Sequence, residues 1–219
     1  MVDPAPISPA DRNYEVSNIA VNVYRINGTT QAQDVTTQVT SAFKTWRKKI
    51  KGLNFTWDGT VNLQQSCDPV QYPQGCDSQH ETSTLLLNSS CTETTSLGEF
   101  RRRFGKSKGL QFVFTGTIEA DRTNGNPIFP LEAVPNVEAG NCLDFGNLIV
   151  LDSQANGLIA AHGVGHAFSL PHYTASSANE NLMCGPDGTH QNVQCPDTPN
   201  SKTKPEQDIQ ARDGLTKWE

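Results

Sequence analysis

Apolar and polar residues alternate at Ile19, Val21 and Val23, a period of two that predicts a half-buried strand. After the turn-forming Asn27-Gly28-Thr29-Thr30 the period changes. Val35, Val39, Ala42, Phe43, Trp46 and Ile50 fall on one stripe of a 3.6-residue repeat, which predicts a helix of about four turns. Gly52 ends that helix, and Leu53, Phe55 and Trp57 alternate into a second strand. Thr84 to Leu87 reads as a short strand and Leu110, Phe112 and Phe114 as another alternating one. The apolar run within 146–152, GNLIVLD, reads as a buried strand.

Between these elements the pattern is weaker. Residues 1–13 are polar and proline-rich and read as a flexible lead-in, and residues 58–83 read as a loop with little periodicity. Glu99 to Lys108 carries Arg101, Arg102, Arg103, Lys106 and Lys108, the chain's basic cluster, and reads as a solvated face. The stretch 126–137, NPIFPLEAVPNV, sets three prolines among apolar residues, and proline is tolerated in sheets only at edges or irregular strands. Residues 185–202 are turn-rich. Thr203-Lys204-Pro205-Glu206 reads as a capping box with proline at the first helical position, opening a closing helix that carries Ile209 and Ala211 and ends at Gly214.

With 219 residues the chain is long enough to bury a sizeable core, as one domain or a domain with a small subdomain. Its net charge of -6 argues against general affinity for nucleic acid or anionic membrane. No segment is apolar for long enough to span a bilayer. Six cysteines without a CxxC pair read as three disulfides, in keeping with a secreted protein. Short loops favour Cys67 with Cys76 and Cys184 with Cys195, leaving Cys91 with Cys142. Residues 1–20 lack the basic start and apolar run of a signal peptide, and Met1 to Pro4 reads as an initiator placed before a mature domain. No GxSxG elbow is present, which disfavours a serine nucleophile.

Three of the five histidines lie in 161–173, AHGVGHAFSLPHY. His162 and His166 are four apart, so a helix places them one above the other on one face. Ser153 or Asn156 is positioned to cap that helix, and the apolar residues 158–161 predict that it is buried. His172 does not continue the stripe; its spacing suits a chain that leaves the helix at a tight turn and returns over the same point. Three convergent imidazoles describe a zinc site with an open fourth position.

This stretch, with Asn181-Leu182-Met183 after it, resembles the metzincin signature HExxHxxGxxH and its methionine turn. By that resemblance His162, His166 and His172 are the Zn2+ ligands and Met183 is the turn methionine beneath the metal. Two positions depart from it. Ser169 stands at the turn glycine, and Gly163 stands where the family has the glutamate that serves as general base. Tyr173 matches none of the residues that follow the third histidine in the matrixin, adamalysin, astacin or serralysin branches, so the branch stays open.

The resemblance implies an α+β fold: a twisted, mostly parallel sheet with an antiparallel edge strand and two main helices in an upper catalytic subdomain, residues 14–172. A loop-rich lower subdomain, residues 173–219, follows with the methionine turn and a C-terminal helix. It also implies a secreted, monomeric zinc endopeptidase acting on proteins or peptides through a zinc-bound water. Phe129, Pro130, Leu131, Glu132, Ala133 and Val134 would line the substrate cleft as the edge strand. Because Gly163 cannot carry protons, the chain is expected to be an inactivated variant. The alternatives are a natural pseudopeptidase that binds zinc and peptide, and a purely structural zinc domain.

Overall fold

A computed structural model of the protein describes residues 17–26, 32–63, 70, 72–75, 82–87, 96–104, 108–120, 132–133, 147–174, 180–184, 195 and 201–215. In chain order the elements are β1 (Ser17–Ile26), α1 (Ala32–Lys49), β2 (Leu53–Leu63), β3 (Thr84–Leu87), α2 (Ser96–Phe104), β4 (Leu110–Phe114), β5 (Thr117–Ala120), β6 (Glu132–Ala133), β7 (Leu148–Leu151), α3 (Gly157–Ala167) and α4 (Pro205–Gly214). Among the described residues this is an α+β arrangement with four helices and a mostly parallel main sheet.

The main sheet runs β2-β1-β4-β7-β6. Pairings from β2 to β7 are parallel, and β6 is antiparallel, with Glu132 opposite Leu151 and Ala133 opposite Val150. The expected antiparallel edge is therefore present at Glu132 and Ala133. Phe129, Pro130, Leu131 and Val134 lie outside the described residues, as do Cys67, Cys76, Cys91 and Cys142.

Both faces of the sheet are covered, and this sets the character of its central strands. Phe112 and Phe114 of β4 and Ile149 and Leu151 of β7 join the core beneath α1 and α3. Val113, Leu148 and Val150, from the alternate positions, join a second core with Phe100 and Phe104 of α2, Leu85 of β3 and Ile118 of β5. A strand buried on both faces has no solvent side to mark with polar residues, so β4 and β7 are buried throughout. β3 and β5 form a separate parallel pair.

The predicted stripe of α1 is the large core's main wall: Val35, Val39, Ala42, Phe43, Trp46 and Ile50 are all buried. Phe43 stacks on Phe55 of β2 with centroids 4.2 Å apart and meets Phe112 edge-on. Trp46 reaches the next layer, where its indole N–H donates to the Ala161 carbonyl of α3 at 2.7 Å.

Four expectations are revised. The second strand continues past Trp57 to Leu63, shortening the loop read from residue 58. Its alternation is broken because Val21 pairs with Trp57 while Val23 pairs with Thr60, an extra residue that Gly59 accommodates at φ +116°. The basic cluster is not a purely solvated face. It lies largely in α2, whose Phe100 and Phe104 are buried one turn apart, with Arg102 gripping buried Glu99 through two bonds of 2.8 and 2.6 Å and Arg103 donating to Thr82.

The closing helix starts one residue later than a Thr203 cap implies. Pro205 occupies its first turn, so Lys204 is the N-cap, and the Gln207 side chain accepts the Lys204 N–H at 2.9 Å. Thr203 instead accepts from Lys49 Nζ of α1 at 2.8 Å and donates to Asp208. Of the two apolar residues predicted on the closing helix, Ile209 is 38% exposed, and Ala211, with Leu215, makes the apolar contact.

Trp46→Phe tests how tightly α1 holds α3. Losing the buried indole bond should cost about 1–3 kcal/mol in chemical denaturation, and an unchanged midpoint would show that the bond contributes nothing net.

Candidate metal centre

α3 begins at a well-made cap. Asn156 is extended, and its Oδ1 accepts the N–H groups of Leu158 at 2.9 Å and Ile159 at 3.2 Å, satisfying two of the helix's orphan donors. Of the two residues read as caps, Asn156 is the one used. Every residue from Ile159 to Ala167 is buried. The helix is thus a core element, and His162 and His166 project from it one turn apart.

The helix ends in a Schellman arrangement that turns the chain back. Ser169 N–H bonds to the His166 carbonyl at 2.8 Å, and Leu170 N–H bonds to that of Gly165 at 3.0 Å. Ser169 takes φ +66°, the left-handed conformation that the pattern assigns to glycine. The reversal brings His172 over the helix. Its ring centroid lies 5.3 Å from that of His162 and 4.6 Å from that of His166.

One ligand atom from each of the three histidines lies within 4.8 Å of the others, and among the described residues this is the group able to hold a metal ion. His162 and His166 are almost wholly enclosed, and His172 is partly exposed. The Nδ1 of His162 bonds to the Leu182 carbonyl at 2.7 Å, and that of His166 to the Leu170 carbonyl at 2.8 Å. A carbonyl oxygen only accepts, so in both rings Nδ1 carries the hydrogen. Each Nε2 is then a bare lone pair, and the two face each other at 2.9 Å.

Two lone pairs at that distance repel unless a cation sits between them. Zinc ligands at about 2.0–2.1 Å in tetrahedral geometry place their nitrogens about 3.3 Å apart, between the 2.9 Å of this pair and the 4.8 Å within which all three ligand atoms lie. The donor set, its tautomers and its carbonyl partners therefore fit zinc.

Burial drives the protonation behaviour of the metal-free site. His162 is pushed down to about 4, chiefly by desolvation and then by charge on His172, with its Leu182 bond opposing. His166 is held well below its ordinary value by desolvation and by its two histidine neighbours, with the Leu170 bond opposing. Both imidazoles are thus neutral near pH 7, the form that binds a metal.

Beneath the helix lies Met183, fully buried. A Cβ placed on Gly165 would fall 2.3 Å from Met183 Sδ and 3.1 Å from Trp46, so α3 approaches the methionine turn only because glycine stands there. The turn is tied to the returning chain by Tyr173 N–H to the Met183 carbonyl at 2.6 Å and a parallel bridge from Tyr173 to Cys184. Cys184 is disulfide-bonded to Cys195, the pairing short loops favour.

Gly163 is buried in α3 next to His162 and has no side chain to offer. Glu132 and Ala133, two of the residues the resemblance assigns to the cleft, form β6. Motif reading missed the carbonyls of Leu170 and Leu182, because any residue can supply a backbone acceptor. It also missed the role of Trp46, which looked like one more core aromatic.

No protein-family model matches the chain, and no curated protein sequence matches it. Among solved structures it is similar to metalloproteinase-II from Bacteroides fragilis, at 9% identity and TM-score 0.49, over 93% of this chain and 55% of that one. This chain thus spans little more than half the length of that protein. It is also similar to a zinc-dependent peptidase from Methanocorpusculum labreanum, at 11% identity and TM-score 0.38, over 87% of this chain and 99% of that one. Both likenesses are distant, and the chemistry of the site rests on its own histidines.

Two outcomes are expected. Ser169→Gly should raise stability by about 0.5–1 kcal/mol, the relief of a left-handed side chain less the added freedom of the unfolded chain; a lower melting temperature would contradict the strain. In chelator-treated protein the buried histidines bind protons less readily folded than unfolded, so their contribution is complete above about pH 6.5 and is lost as pH falls toward about 4. Denaturation midpoints across that window check it, and the loss should shrink in His162→Asn.

Proposed function

We propose that this chain is a zinc-dependent endopeptidase domain of metzincin type that hydrolyses peptide bonds in proteins, present here without its general base. The observation that carries the reading is the pair of bare Nε2 atoms on His162 and His166, held toward each other by carbonyl-bound Nδ1–H groups, with His172 brought over them. These three side chains would hold the zinc. When bound, zinc polarises a carbonyl and lowers the pKa of water toward ~7.

The rest of the reading follows from the chain's own groups. Met183 and the left-handed turn at Ser169 stand where the resemblance puts its methionine and its glycine. Glu132 and Ala133, on the antiparallel edge, would receive an extended protein or peptide substrate by strand addition, and the resemblance would assign Phe129, Pro130, Leu131 and Val134 to the same cleft. Gly163 provides no group to take a proton during attack or return it to the leaving amine. General acid–base help is typically worth 10²–10⁴-fold, so binding and turnover are separated in this chain. We further infer a secreted, monomeric protein that neither enters membranes nor binds nucleic acid.

The same Gly163 favours a second reading, a natural pseudopeptidase that holds zinc and peptide without cleaving. Gly163→Glu separates the two. Assayed on a denatured protein substrate with and without a chelator, the variant should exceed the parent by about 10²–10⁴-fold, in a chelator-sensitive way. Zinc binding by both proteins with cleavage by neither supports the binding module instead.

A further inference from the structure

We propose that Gln207, on α4 and far from the histidine motif in sequence, is a positioning residue for the metal centre; this rests on the zinc reading of the three histidines. Gln207 and Asn181 are buried, at 9% and 2% exposure. Gln207 Oε1 accepts twice, from the Lys204 N–H at 2.9 Å and from Asn181 Nδ2 at 2.7 Å. One oxygen thereby closes the first turn of α4 and fixes the plane of the Asn181 amide.

The other end of that amide reaches the methionine turn. Asn181 Oδ1 accepts the Met183 N–H at 2.8 Å. That N–H belongs to the same planar peptide unit as the Leu182 carbonyl, which receives Nδ1–H of His162 at 2.7 Å. Rotating the unit breaks both bonds together. The series Gln207, Asn181, peptide 182–183, His162 therefore transmits the position of α4 to the direction in which Nε2 of His162 points.

Two further contacts keep this lever from floating. Leu182 N–H donates to the Lys202 carbonyl, just before α4. Lys49 of α1 bonds to Thr203, whose hydroxyl donates to Asp208 on the first turn of α4. The helix is thus anchored to the upper layer on one side and to the methionine turn on the other. Removing the Gln207 oxygen leaves the buried Asn181 Nδ2 and the part-buried Lys204 N–H without their acceptor and frees the Asn181 amide to turn.

The test uses the full chain, with Gln207→Leu to remove the acceptor and Gln207→Glu to keep an oxygen in its place. Zinc dissociation constants are measured by competition with a chromophoric chelator, and visible absorption is recorded for the cobalt(II)-loaded proteins. Q207L should bind zinc about tenfold or more weakly, as outer partners of metal ligands commonly do when lost, with an altered cobalt spectrum, while Q207E stays near the parent on both. Parent-like affinity and spectrum in folded Q207L overturns the proposal, and so does a Q207E as weak as Q207L. Q207A, read by the same criteria, replaces Q207L if the leucine variant does not fold. A parent that binds no zinc overturns the reading of the histidine site itself and this proposal with it.

Discussion

The carbonyls of Leu182 and Leu170 each take a hydrogen from a histidine Nδ1, and these two bonds govern what the site can hold. They commit both rings to one tautomer. They also point two unprotonated Nε2 atoms at one another across 2.9 Å, inside a region from which water is nearly excluded. An apolar core would not favour that arrangement for its own sake, since facing lone pairs lose their hydration and repel. A cation removes the conflict, and burial keeps the rings neutral so that it can. The carbonyls come from segments with their own anchors: Leu170 from the Schellman turn that ends α3, and Leu182 from the methionine turn.

Rigidity of the support follows from how the sheet is buried. β4 and β7 carry one core on each face, α1 fills the larger of the two with aromatic contacts, and α3 is packed so closely that Gly165 alone leaves room for Met183. Close packing transmits small displacements rather than absorbing them. A shift of α1 at Trp46, or of α4 at Gln207, is therefore felt at the histidines through a buried indole bond in one case and a peptide plane in the other. The site is distributed over the fold although its proposed ligands span only eleven residues of sequence.

In the proposed function, Gly163 divides metal holding from proton transfer. Holding a metal requires the convergence of three imidazoles and their outer carbonyls, none of which involves residue 163. Moving a proton beside the metal requires a side chain with a titrating group, which glycine lacks. On the proposed reading, a single position removes chemistry while leaving the scaffold of binding in place.

Much of this was legible from the chain alone. The stripe from Val35 to Ile50, the alternation of β1, the apolar run of β7 and the 0, 4, 10 spacing of the histidines are local patterns, set by the geometry of a helix or strand acting on neighbours in sequence. Other features had no local signature. α2 was hidden by its run of arginines, since among its described residues Phe100 and Phe104 are the large apolar side chains that are buried. The bulge at Gly59 depends on pairing with β1. The sequence by itself determined the strongly periodic elements and which side chains are available as ligands, because those depend on spacing. Tertiary structure decided which nitrogen of each buried histidine carries the hydrogen, because that depends on backbone carbonyls brought in from elsewhere in the chain, and every residue carries one.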